Sequence, residues 1–269
     1  MPAYIQQFTI CFGVLLVAAY LVPAGVLHWI VAVRPTPEIE TARIQRRRPR
    51  REDVRREVRQ SLAALVFFAL YSVALLAAYR AGRALVYWNP SDYPLWWAPL
   101  SVVVAMVLHD TWFYWTHRAM HLRWVFPWLH AGHHRSITPT AWAMLSFQPL
   151  ETVPQFAFFA LLIFFVPMHP VALLSYLMLD GLVNAAGHCG HELTPRFIRE
   201  RVGFINAVAH HDLHHRRFQS NFGQYFNVWD RLMGTFLDDK PAAPETPSIV
   251  RDERPRELVS RPAAREPSV

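Results

Sequence analysis

Residues 8–33 read FTICFGVLLVAAYLVPAGVLHWIVAV, 26 residues without a charged side chain. At ~1.5 Å per residue a helix of this length is ~39 Å long, enough to cross a hydrocarbon core of ~30 Å with some tilt. Pro23, Gly25 and His28 interrupt the stretch but introduce no charge. No basic segment precedes it and no Ala-x-Ala-like cleavage site follows, so it reads as a retained transmembrane helix rather than a signal peptide.

Working outward, a second apolar run covers Leu62 to Tyr79 and a third covers Leu95 to Trp115. A further block, Thr152 to Ala186, is broken by Pro167-Met168-His169-Pro170, where a helix cannot continue unkinked. It predicts a helical hairpin with limbs of about 15 residues, ~22 Å each. The whole chain of 269 residues is 53% hydrophobic, with a mean hydropathy of +0.12. Such clumped apolar content excludes a disordered chain, a collagen-like repeat and a disulfide scaffold. Cys11 and Cys189 are its only cysteines, too few for a thiolate metal site.

The net charge of +7 comes almost wholly from arginine, and ten arginines lie between Arg34 and Arg59. Directly behind a span, that excess marks the cytoplasmic side and contact with lipid headgroups. The link from Arg80 to Pro94 carries two arginines and is placed outside, so the third helix returns to the cytoplasm near Thr116. The basic stretch has no interleaved aromatics and no recognisable binding motif, so nucleic acid is not expected as a partner. From Lys240 onward Pro, Arg, Glu and Ser dominate, predicting a disordered polar tail.

Thirteen of the fourteen histidines fall between His109 and His215. They form HRAMH (His117, His121), HAGHH (His130, His133, His134), HCGH (His188, His191) and HDLHH (His211, His214, His215), with His210 just before the last. Positions i, i+3 and i+4 share a helix face, so each motif is expected to present two or three imidazoles to a single point. Imidazole is largely unprotonated near neutral pH and is the commonest metal ligand. About nine imidazoles exceed the coordination of one ion, which implies two. By parity of the spans all these motifs lie at the cytoplasmic side. His28 and His169 are read as structural, and His109 and His210 are left open between ligand, outer partner and neither.

The zinc-peptidase motif HExxH is absent, because His191-Glu192 runs into Leu-Thr-Pro. The Glu-x-x-His pairs of soluble di-iron bundles are also missing. Imidazole suits iron, and non-haem di-iron is the preferred assignment, although ligand type alone leaves iron, zinc and copper open.

The string Asp110-Thr-Trp-Phe-Tyr-Trp-Thr-His117-Arg-Ala-Met-His121, followed by His130-Ala-Gly-His133-His134, Asn184-Ala-Ala-Gly-His188-Cys-Gly-His191 and His211-Asp212-Leu-His214-His215, resembles the fatty acid hydroxylase/sterol desaturase superfamily. The closing Asn221-Phe-Gly and Trp229-Asp230-Arg-Leu-Met-Gly234 fit the same pattern, over roughly residues 95–238. The resemblance implies an integral-membrane oxidase with two histidine-bound iron ions that uses O2 to hydroxylate or desaturate a C–H bond of a lipid, sterol or fatty acyl chain. The ligands it implies are His117, His121, His130, His133, His134, His188, His211, His214 and His215. Asp110 and Asp212 are candidates to accept the second N–H of a ligand imidazole. The chain departs from the family at Gln148-Pro149-Leu150-Glu151, where many members carry His-Pro-Leu-Glu, and at His191, where a Tyr is usual; His191 is thus a candidate extra ligand.

No GxGxxG, CxxCH or cluster-forming cysteine set is present, so electrons must come from a separate reductase, ferredoxin or cytochrome-type donor. Arg216 and Arg217 offer it a basic docking point. Phe113, Trp142 and Phe147 are candidates to line the lipid's path. A membrane metal transporter would place its ligands inside the spans; a zinc hydrolase would need Glu151 or Glu192 beside an open metal position. The expected fold is all-α: about four transmembrane helices in two hairpins under a cytoplasmic, histidine-rich helical cap. The expected divisions are an N-terminal hairpin with the Arg-rich loop (1–94), a catalytic domain (95–238) and the tail (239–269).

Overall fold

Pro23 lacks the N–H that would bond to the carbonyl of Ala19, and the first helix changes register there. In the computed structural model, which describes residues 3–238, it runs as α1 (Ala3–Leu16), a π-turn (Val17–Leu21), α2 (Val22–His28) and a second π-turn (Trp29–Val33). The Val22 N–H bonds to Val17 O, the i−5 register. The predicted tail lies outside the described residues.

The remaining helices are α3 (Pro37–Thr41), α4 (Arg51–Arg80), α5 (Trp97–Met120), α6 (Phe126–Leu129), α7 (Thr152–Phe165), α8 (Pro170–Gly187), α9 (Val208–Arg217) and α10 (Val228–Leu232). Short 3-10 turns, His133–Arg135 and Ala141–Leu145, lie between α6 and α7. No strand occurs among the described residues, only isolated bridges such as Arg43 to His191. The break between α7 and α8 falls at Pro167–Pro170 as the sequence predicts, with His169 Nδ1 accepting the Val171 N–H.

Among the described residues, three helical stretches are long and apolar enough to cross a membrane: Thr9–Val33, Arg51–Arg80 and Pro170–Gly187. α5 has the length, 24 residues, but its second half carries His109, Asp110, His117 and Arg118. α7 has 14 residues, ~21 Å at helical rise. On α4, Leu62, Val66, Leu70 and Val73 are all more than half exposed and repeat at helical spacing, an apolar stripe suited to lipid.

The Arg-rich segment is not loop throughout. From Arg51 it is the first turns of α4, because Arg51–Arg80 contains neither Gly nor Pro and Asp53 accepts the Arg50 backbone N–H. These turns dock on the segment between α6 and α7. Ser61 donates to Trp142 O at 3.0 Å, Arg56 to Ser136 Oγ at 3.0 Å, and Thr140 to the buried Glu57 carboxylate. Contacts therefore cross residue 94, and the described residues on both sides of it fall in one compact unit.

One apolar cluster joins Ala105 of α5, Phe158 and Leu162 of α7 and Tyr176 of α8. Another joins Tyr20, Ala24 and Leu27 to Met144, Ala185 and Val208. At the crossing of α8 with the first helix, a Cβ on Gly181 would lie 2.1 Å from the Ala19 carbonyl oxygen. Only glycine permits that approach. Gly181→Ala should force the helices apart and destabilise the protein by about 1–3 kcal/mol, read as a lower melting temperature in detergent; an unchanged melt would contradict the crossing.

Candidate metal centre

α5 delivers His117 and His121 from its last turn, one turn apart on one face. His130 caps α6, His133 and His134 sit in the following 3-10 turn, His188 caps α8, and His211, His214 and His215 lie on α9. All nine converge, as two groups. His117, His121, His130, His134 and His214 form one; His133, His188, His211 and His215 form the other, with ligand nitrogens in each within 4.8 Å of one another.

The partition corrects the expectation that each motif serves one point. Adjacent residues point ~120° apart in a 3-10 turn and ~100° apart in an α-helix, so the turn after α6 sends His134 to the group of His130 and His133 to the other. HDLHH likewise sends His214 to the first group and His211 with His215, a full turn apart, to the second. The groups abut, with the His134 and His215 ring centroids 4.8 Å apart.

Hydrogen bonds at the back of the rings set their tautomers. His117 Nδ1–H donates to Phe222 O (2.9 Å), His188 Nδ1–H to Asn184 O (2.7 Å) and His214 Nδ1–H to Ser220 O (2.7 Å). A carbonyl can only accept, so in each of these rings Nε2 carries a lone pair turned inward. His214 Nε2 lies 3.1 Å from His134 Nε2, which lies 3.1 Å from His121 Nε2. In the second group, His188 Nε2 is 3.3 Å from His133 Nε2 and 3.0 Å from His211 Nε2, and His211 Nε2 is 3.2 Å from His215 Nε2. His117 Nε2 and His130 Nε2 are buried with no protein partner. Two nitrogens each ~2.1 Å from one ion are ~3.0 Å apart at a right angle and ~3.4 Å apart at the tetrahedral angle. The residues therefore fit a cation in each group.

His117, His130, His133, His134, His188, His214 and His215 are 0–3% exposed. Burial, reinforced by the neighbouring imidazoles, holds His133, His134, His211, His214 and His215 well below the ordinary histidine value. Burial brings His188 down to about 4 against a backbone hydrogen bond that raises it. Neutral imidazole, the ligand form, is thus the folded form.

The carboxylate behind one of these imidazoles is Glu151, a position that sequence reasoning missed. Its Oε1 lies 2.6 Å from His130 Nδ1, and it is wholly buried. Burial pushes its carboxyl well above the ordinary range, and a cation at His130 Nε2 would favour its ionised form. Glu151→Gln should weaken metal affinity by roughly 10–100-fold, measured by chelator competition; unchanged affinity would remove this role. Gln148 binds no ring: its Oε1 accepts the Gly132 N–H at 2.7 Å and fixes the HAGHH turn.

The remaining candidates stand apart from both groups. Asp110 Oδ1 gathers the backbone N–H groups of Gln224, Tyr225 and Phe226 and no imidazole. Asp212 accepts from Gln45 and from Arg216. His109 Nδ1 meets the hydroxyls of Tyr176 and Tyr225 at 2.7 and 3.0 Å. His210 Nδ1 accepts the Ala207 N–H at the start of α9. His191 Nδ1–H donates to Cys189 O at 3.0 Å, and its Nε2 faces neither group.

A cavity of about 270 Å³ reaches His188 and His211 between Phe113 of α5, Asn184 and Gly187 of α8, and Tyr225. Phe147 lies beside His133, ring centroids 5.8 Å apart. Trp142 packs instead against Tyr20 and His28, so it does not line this cavity.

The family model for fatty acid hydroxylase matches residues 102–235. Human lathosterol oxidase is 32% identical over 188 residues, 69% of this chain and 62% of that protein. A Delta(7)-sterol 5(6)-desaturase of Schizosaccharomyces pombe is 34% identical over 205 residues, 76% of this chain and 65% of that protein. The chain belongs to the fatty acid hydroxylase/sterol desaturase superfamily. The superfamily match holds every one of the nine converging histidines. Another desaturase of these sterols, from Gibberella zeae, is 28% identical over 71% of this chain and 58% of its own length. The chain thus spans about three fifths of the length of the curated superfamily relatives it matches. No solved structure matches it.

Proposed function

We propose that this chain is a membrane-bound non-haem di-iron oxidoreductase that uses O2 to hydroxylate or desaturate a C–H bond of a lipid, with a sterol as the first substrate to test. The observation that carries the reading is the pair of facing groups of buried, inward-turned imidazole nitrogens. Iron held there would supply O2 activation and C–H cleavage. His117, His121, His130, His134 and His214 would hold one ion, and His133, His188, His211 and His215 the other.

The chain's own part is orientation and exclusion of water. Backbone carbonyls and Glu151 lock the rings, and the helical cap keeps them dry. The cavity at His188 and His211 is smaller than the ~300 Å³ of a pocket that encloses a small ligand, so it accepts the reacting end of a lipid while the rest stays among the helices. The relatives, a lathosterol oxidase and a Delta(7)-sterol 5(6)-desaturase, make a sterol nucleus the leading candidate. A zinc hydrolase is disfavoured by its needed carboxylates: Glu151 is engaged by His130, and Glu192 accepts the backbone N–H groups of Thr194 and Ala209.

The topology we propose has α5 and the α7–α8 hairpin joining the first helix and α4 in the bilayer, with the histidine cap on the cytoplasmic side. The ten arginines of 34–59 support that side. A separate electron donor would dock on the same face; Arg217 is exposed there, whereas Arg216 is tied to Asp212.

The test supplies the membrane-embedded protein with a reductase system, 18O2 and lathosterol or fatty acyl lipids. A labelled alcohol marks hydroxylation, and an O2-dependent alkene without label marks desaturation. Neither product from any lipid, with iron retained, would overturn the assignment.

A further inference from the structure

A second cavity, about 580 Å³, lies outside the metal centre and is not used by the proposed reaction. Its floor is apolar, from Val31, Ala32 and Val33 at the end of the first span. Its rim is cationic, with Arg43, Arg47, Arg48, Arg51 and Arg55. The pocket therefore straddles the level where apolar helix gives way to charge, the headgroup level of a bilayer.

Glu40 pairs with Arg43 at 2.7 Å and with Arg48 at 2.6 Å. Arg47, Arg51 and Arg55 make no ion pair among the described residues. Arg51 and Arg55 are one turn apart on α4, a like-charge spacing that destabilises a helix unless an anion lies between. The neighbouring acids do not relieve it: Asp53 is taken by Arg50 and Arg56, Glu57 by Thr140, and Glu52, though next to Arg51 in sequence, forms no ion pair among the described residues.

The wall supplies a second, independent feature. His191 is 2% exposed, and its Nε2 is buried with no partner. The bridge of Arg43 to His191, with Ile44 N–H donating to Gly190 O, sets this ring beside the arginines. Because Nδ1–H donates to Cys189 O, Nε2 is an acceptor. It needs a donor, which a bare phosphate diester does not carry and a hydroxyl does.

We propose that this pocket binds an anionic phosphodiester bearing a hydroxylated headgroup of the glycerol type, with the phosphate on the arginines, a hydroxyl on His191 Nε2 and a lipid tail on the apolar floor. Guanidinium groups are the side chains best matched to phosphate oxygens. The same chemistry could come from a membrane lipid or from a soluble phosphate ester, and the apolar floor points to the lipid.

The test is native mass spectrometry of the full-length protein in detergent, titrated with dioleoyl phosphatidylglycerol, phosphatidylcholine or phosphatidylmethanol, the last having the same charge without a hydroxyl. One phosphatidylglycerol per chain is expected, held at least about tenfold tighter than phosphatidylcholine, the equivalent of one charge-assisted hydrogen bond. It should exceed phosphatidylmethanol by about fivefold, one ordinary hydrogen bond, and His191→Phe should erase that difference while both lipids still bind. The triple variant Arg47→Gln, Arg51→Gln, Arg55→Gln should lose the preference over phosphatidylcholine; Arg196→Gln, Arg199→Gln, Arg201→Gln should keep it. Equal retention of all three lipids by the unaltered protein overturns the proposal. So does displacement by millimolar inorganic phosphate or glycerol phosphate, which would assign the pocket to a soluble ester.

Discussion

His214→Ala and His211→Ala should each abolish turnover, whereas His191→Ala and His210→Ala should leave it within a few-fold of the unaltered protein. The loss should exceed the roughly 100-fold that removal of an outer partner costs, because each of the first two variants deletes a nitrogen that faces its group directly. His214 is wholly buried, anchored at Ser220 O and aimed at His134; His211 joins His188 and His215. His191 shares its motif with His188 and His210 directly precedes His211, but their rings turn to Cys189 O and the Ala207 N–H. The readout is O2-dependent product formation at saturating reductase. Full activity in either of the first pair, or its loss in both of the second, would contradict the division of the histidines drawn from the fold.

Stability should fall steeply as pH drops below 6.5. In the folded chain the cap imidazoles lie below their ordinary value, with His188 at about 4 and most of the others well below 6.5. In the unfolded chain they return to ~6.5. Between those limits the unfolded state binds more protons, so the stabilisation is complete above 6.5 and is lost on acidification. Each such histidine contributes about 1.4 kcal/mol per pH unit across that window. Glu151 works in the opposite sense because its folded value is raised, and it offsets one histidine of the set. Melting curves of the metal-free protein between pH 7.5 and 5 should therefore show an uptake of several protons on unfolding. A melting temperature independent of pH in that range would mean the rings are not buried as described. Free imidazole alone would predict metal loss near pH 6, but the buried rings resist protonation, so metal should leave as the cap opens.

The nine histidines and the helical character of the chain were legible because both rest on local spacing: apolar runs of span length, and imidazoles at i, i+3 and i+4. The division of those nine was not, because it depends on which way a turn or helix faces once docked. His133 and His134 are neighbours in sequence and belong to different groups. The helical extension from Arg51 was hidden by charge, since a run of arginines reads as loop until its docking partners Ser136, Thr140 and Trp142 are in place. Glu151 escaped for the same reason: it is 21 residues from His130, and no periodicity links them. Asp110 was misassigned because its adjacency to the histidine-bearing turns of α5 says nothing of the loop 224–226 that takes its oxygen.

The most direct test is metal content by elemental analysis with Mössbauer spectroscopy, on protein expressed with iron and purified in mild detergent, alongside His134→Ala and His215→Ala. The account predicts about two coupled irons per chain, with the coupling lost in either variant. One iron, or two zincs with no iron despite its supply, would contradict a di-iron centre built from the two histidine groups.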